Sequence, residues 1–120
     1  MVWRGIVEKW FIDQGFQTEW IWMGRNESFL LAWKGRVLGV YFVEPEGSTG
    51  PEKPMAVKKM FLELFSHLRN LASWERVFRG REVSFNWLSS RRFSDSQIEI
   101  LGQAGIEPFF FQPDSDNSSS

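Results

Sequence analysis

The stretch FQTEWIWMGRNESFLLAWKGRVLGVYFV, residues 16–43, decides the fold of this chain. From Phe16 the apolar spacing has period two, which places Trp20 and Trp22 on one face of a strand over Gln17–Met23, and Gly24-Arg25-Asn26 supplies turn chemistry. A second strand is predicted over Ser28–Trp33 and a third over Arg36–Val43, separated by Lys34-Gly35, a tight connection suited to a hairpin with positive φ at glycine. Their β-branched and aromatic content favours strands over helices. The three runs read as an antiparallel meander.

Working outward, Trp3, Ile6, Val7, Trp10 and Phe11 recur at three-and-four spacing, one apolar face of a short helix that Gly15 can close. Downstream, Glu44–Pro54 is rich in Pro and Gly and is expected to be a mobile loop. Pro54 then opens the clearest helix, with Val57, Met60, Phe61, Leu64, Phe65, Leu68 and Leu71 as its apolar stripe and Lys58, Lys59, Glu63 and Arg69 opposite. After a basic stretch, Glu82–Leu88 alternates Val83, Phe85 and Trp87 against polar neighbours, a strand with one wet face. Ser94 and Gln97 have capping-box spacing, so a third helix follows with Ile98, Leu101 and Ala104 inward, ended by Gly105. Ile106–Phe111 reads as a last strand. Pro113–Ser120 has no apolar residue and is expected to be a disordered C-terminal tail. The result is a single α+β domain over residues 1–112, an antiparallel-rich mixed sheet with helices packed on it, in the order α-β-β-β-α-β-α-β.

Composition narrows the chemistry. Seven Trp and twelve Phe stand beside one His and no Cys, so disulfides and thiolate metal sites are excluded. Met1–Gly15 mixes charges into its apolar residues and does not read as a signal peptide, and no later run approaches the roughly 20 apolar residues of a membrane span. A soluble, cytoplasmic protein is expected. Net charge is −1, with the basic residues gathered between 51 and 92 and none after Arg92. Such a basic middle is either a docking patch or the ordinary solvating charge of helix and loop surfaces.

Helix, three-strand meander, helix, strand resembles the core of restriction-endonuclease-like nucleases, which hold a divalent ion with an acid near the second strand and a Glu-x-Lys pair on the third. Glu27 and Glu44 occupy comparable places, yet two residues after Glu44 stands Glu46 instead of Lys. Topology alone carries no activity, and the bland reading has these carboxylates on a turn and a loop. His67 lies within the central helix with no nucleophile beside it, and neither a phosphate-binding nor a dinucleotide fingerprint occurs. Nucleic acid would need Arg76, Arg79, Arg81, Arg91 and Arg92 for phosphates and Trp74, Phe78 or Trp87 for stacking; the near-zero net charge and acidic end argue against it. No catalytic residue, metal ligand or cofactor is assigned.

Five stretches carry a further likeness: VEKWFIDQGFQTE with its Gln14-Gly15-Phe16, WMGRNESFLLAW, GPEKPMAVKKMFLELFSHLRNL, VSFNWL and SDSQIEILGQAGIEPFF. Over residues 2–112 the chain resembles the LcrR and SseE group of small cytosolic accessory proteins of bacterial type III secretion. The resemblance implies a non-enzymatic chaperone or regulator in virulence-associated protein transport, binding a secretion-apparatus protein or a secreted substrate. Aromatic surface and an exposed sheet edge suit that role. Trp20, Trp22 and Trp33 are the candidate contacts, with Arg76, Arg79 and Arg81 as the basic part of the surface. A homodimer sealed by tryptophans is a third reading.

Overall fold

Gly35 turns the chain at φ +60°, and the register on either side follows from that turn: Lys34 lies opposite Val37, and Phe29 opposite Phe42. The computed structural model describes residues 3–22, 28–45 and 53–112. Its elements are α1 (Trp3–Asp13), β1 (Gln17–Trp22), β2 (Ser28–Lys34), β3 (Val37–Val43), α2 (Pro54–Arg69), α3 (Ala72–Phe78), β4 (Glu82–Ser89), α4 (Asp95–Gln103) and β5 (Glu107–Phe110). The sheet runs β1-β2-β3-β4-β5, antiparallel through β3 and parallel from β3 to β5. Parallel neighbours need crossovers, here α2 with α3 and then α4. This is the expected single-domain α+β architecture in the expected order. The Gly24-Arg25-Asn26 turn, Glu27, Glu46, most of the loop before Pro54 and the tail 113–120 lie outside the described residues.

Period-two alternation sends side chains into two cores. On one face Phe29, Leu31, Leu38, Val40, Phe42 and Trp87 meet Val57, Phe61, Leu64 and Leu68 of α2 and Leu101 of α4. On the other, Val7 and Phe11 of α1 cover Leu30, Ala32, Val43 and Leu88. Ser94 starts α4 with the anticipated capping box: its hydroxyl accepts from Gln97 N, and Gln97 Oε1 accepts from Ser94 N at 2.9 Å. Both exchanges satisfy amides that helix geometry leaves unpaired.

Two expectations are corrected. Leu71 does not extend the α2 stripe; α2 stops at Asn70, whose N–H bonds back to His67 and Leu68, and exposed Leu71 becomes the residue before α3. That short helix sits where the sequence read only as basic, because charged Glu75 and Arg76 interrupt its apolar pattern of Trp74, Val77 and Phe78. Second, β4 has no wet face along its second half: Asn86 through Ser89 are all buried. A strand flanked by β3 and β5 and covered by helices on both sides buries even its polar residues, and Asn86 Nδ2 finds Ser84 Oγ at 3.0 Å.

Tyr41 shows how tightly the α1 side is packed. Its ring lies against Phe11 at 4.8 Å and edge-on to Phe109 at 5.4 Å, over Gly39, where a Cβ would overlap the ring. Burial, assisted by the negative charge of Glu107, pushes its phenol up to about 12. The folded state therefore holds the proton after the unfolded chain has released it, so stability is intact below pH ~10 and falls by about 2–3 kcal/mol as pH rises to ~12. Since this is the sole tyrosine, phenolate absorbance at ~295 nm reads it directly. A midpoint near 10 in the folded protein would contradict the packing.

Candidate functional site

A sheet of this order has two outer strands, and they are built differently. β5 has four residues and contains Pro108, which cannot donate to an added strand. β1 has six, QTEWIW, with neither Pro nor Gly. On its outer side the backbone of β1 makes no backbone hydrogen bond among the described residues. Native edges are commonly blunted by proline, charge or brevity; β1 has no proline, is longer than β5, and carries one charge, Glu19.

The register sorts the surrounding side chains. Thr18, Trp20 and Trp22 face α1, while Gln17, Glu19 and Ile21 share the other face with Trp33, which lies opposite Gln17. Trp20 is half-buried in the α1 core. Trp22 is 54% exposed, with the Arg4 guanidinium 4.7 Å above its ring. Arg4 is itself placed by its Nε–H, which donates to Ser28 Oγ at 3.0 Å. Across the sheet, half-buried Trp33 meets Trp74 of α3 edge-to-face at 5.7 Å. With Glu19, Ser73 and Val77 these two rings line an open cleft of about 290 Å³. The three tryptophans singled out in the sequence thus do not form one patch; they flank β1 from both sides. Of the seven indoles, Trp87 alone is buried, and it offers no stacking face.

Glu44, at the end of β3, is the other concentration of polar chemistry. It is 3% exposed. Its Oε1 accepts from Ser89 Oγ at 2.7 Å and from Arg91 Nη2 at 3.1 Å, and its Oε2 accepts from Trp87 Nε1 at 3.0 Å. Its backbone N–H donates to Leu88 O at 2.9 Å, and its carbonyl accepts from Trp3 Nε1 at 3.0 Å. One residue thereby joins α1, β3, β4 and the segment after β4. Glu44 is not the loop ornament of the bland sequence reading. Among the described residues, no three acidic or imidazole side chains come together where an ion could sit; Glu27 and Glu46 lie outside them.

No family model, curated protein or solved structure matches this chain. What the chain does must then be argued from its own surfaces.

Several residues of the basic stretch have local partners. Arg79 and Arg81 line an open cleft of about 390 Å³ with Arg69, Phe65, Phe78 and Val83; exposed Arg76 is not among its lining residues. Arg79 is bound by Glu75 through Nε at 3.0 Å and Nη2 at 2.5 Å. Arg81 donates to Gly35 O and Val77 O, both at 2.8 Å, tying the β2–β3 turn to the end of α3. The Arg69 guanidinium lies 5.3 Å above the Phe65 ring. Cations at the ends of α2 and α3 complement the negative poles of both helices. Arg91 is held by Glu44 and Arg92 lies over Phe110, so the proposed phosphate contacts are dispersed. His67 is exposed on α2.

Glu19 and the pairing of Trp33 with Trp74 were missing from the sequence reading. Alternation within QTEWIW does place Glu19 away from Trp20 and Trp22. That it shares a face with Trp33 needs the register, and Trp74 needs α3.

Proposed function

We propose that this protein is a non-enzymatic, cytoplasmic protein-binding factor, a chaperone or regulator serving a type III secretion system, and that it takes an extended segment of its partner along β1. The observation that carries the reading is an outer strand whose far side pairs with no backbone among the described residues, flanked by Trp22 on one face and Trp33 on the other. One segment can touch both rings only along that edge. In strand addition the main chain supplies affinity and pockets beside alternate side chains supply specificity. The secretion context comes from the sequence likeness over residues 2–112. That no helix of the described residues is long and apolar enough to cross a membrane is consistent with it.

The test is co-expression with the products of the adjacent genes and with type III secretion-apparatus and substrate proteins, native mass spectrometry of the products, and amide exchange on any complex. The expected result is a defined complex in which amides of β1 become protected. A complex that leaves exchange in β1 unchanged, or no complex across that set, overturns the reading.

The restriction-endonuclease-like alternative is favoured by one feature, the parallel β3–β4 junction carrying a buried acid at the end of β3. Three donors already occupy the Glu44 oxygens, which favours a structural carboxylate over a metal ligand. Magnesium-dependent cleavage of DNA, lost in both Glu27→Ala and Glu44→Ala while both variants remain folded, would establish the alternative.

A further inference from the structure

We infer that the cleft between β1 and α3 is a specificity pocket for a cationic side chain, Lys or Arg, on the extended partner segment that pairs with β1. This rests on the edge-strand reading and adds to it what the partner must carry. Glu19 projects from the middle of β1 on the face that holds Trp33. It makes no hydrogen bond or ion pair among the described residues, whereas Glu8 on the α1 side accepts from Thr18 Oγ1 at 3.0 Å. Beside Glu19 the half-buried indoles of Trp33 and Trp74, packed edge-to-face, line the same cleft. Indole is the best aromatic surface for a cation, and a neighbouring carboxylate supplies the counter-charge. In a strand added to β1, the residue opposite Glu19 points to the same face, with its Cβ about 5 Å away. The stem of a Lys or Arg there lies along the rings and its charge reaches Glu19.

The occupant is not a second copy of β1. QTEWIW has no basic residue, so self-pairing leaves Glu19 uncompensated. An anionic ligand is repelled by Glu19, and an apolar segment leaves its charge unused.

The experiment pans a display library of randomised twelve-residue peptides against the full chain, then measures selected peptides by tryptophan fluorescence and by amide exchange in β1. Selected peptides are expected to protect β1 and to share a Lys or Arg at a fixed place in an alternating pattern. Replacing that Lys by norleucine, or Glu19→Gln or Trp74→Ala in the protein, should weaken binding about five- to thirty-fold. Glu19→Lys should shift selection toward acidic peptides. Glu19 is exposed, so its variants test the pocket without disturbing the core. Peptides that protect β1 but show no basic preference and ignore Glu19→Lys overturn the pocket and leave the edge reading standing. Failure of any peptide to protect β1 overturns both. Concentration-dependent self-association that protects β1 without peptide assigns the edge to a second copy and overturns the pocket.

Discussion

Glu44→Ala should lower the free energy of unfolding by about 3–5 kcal/mol, read as a shift of the urea midpoint without change of slope. The substitution removes no large apolar volume; its cost comes from what it abandons. Trp87 Nε1 and Ser89 Oγ stay buried and lose their acceptor, at roughly 1–3 kcal/mol each, and Arg91 loses its counter-charge. Glu44→Gln keeps one carbonyl oxygen but aims an N–H at a neighbouring donor, so about 1–3 kcal/mol is expected. The order Ala worse than Gln is the signature of a structural clasp. A carboxylate kept for metal chemistry would behave otherwise: Glu44→Ala would leave stability unchanged or raise it while abolishing magnesium-dependent cleavage, because a charge desolvated for function is a liability to the fold.

The clasp marks the boundary of what sequence could reveal. Glu44 is visibly the acid that ends a strand, but its three side-chain donors lie 43 to 47 residues away. They reach it only because β4 enters parallel beside β3, and EVSFNWLS contains nothing that names its neighbour. The meander was legible for the opposite reason: Lys34-Gly35 and period-two spacing are local and fix the pairing of β2 with β3. The capping box at Ser94 was legible likewise. α3 was not, since seven residues with two charges barely establish a period. Arg76, Arg79 and Arg81 show a subtler limit: the sequence names the cations, but not that Glu75 holds Arg79 and two backbone carbonyls hold Arg81. The tryptophans divide in the same way. Trp20 and Trp22 share a face as expected, but Trp33 belongs to the other one, and a register of Gln17 opposite Trp33 is needed to see that together they border an edge.

Phe11→Ala carries the other large effect, about 3–5 kcal/mol, against a total stability that for domains of this kind is about 5–15 kcal/mol. Its ring is the hub of the α1 core, within 4.8–6.1 Å of the rings of Trp10, Phe16, Tyr41 and Phe109. The neighbours cannot close the gap, because Trp10 and Phe16 are carried by α1 and the turn after it while Tyr41 is fixed on the central sheet over Gly39. Polar ties hold α1 even so: Trp3 donates to Glu44 O and Thr18 to Glu8. The variant should therefore fold with α1 docked but loosely filled, admitting water to the Tyr41 ring. Its phenol should then titrate nearer 10 than 12, and the alkaline loss of stability should shrink with it. Loss of stability together with an unmoved tyrosine midpoint would mean that the burial of Tyr41 comes from Phe109 and the sheet, leaving α1 a cover that Phe11 anchors but does not seal.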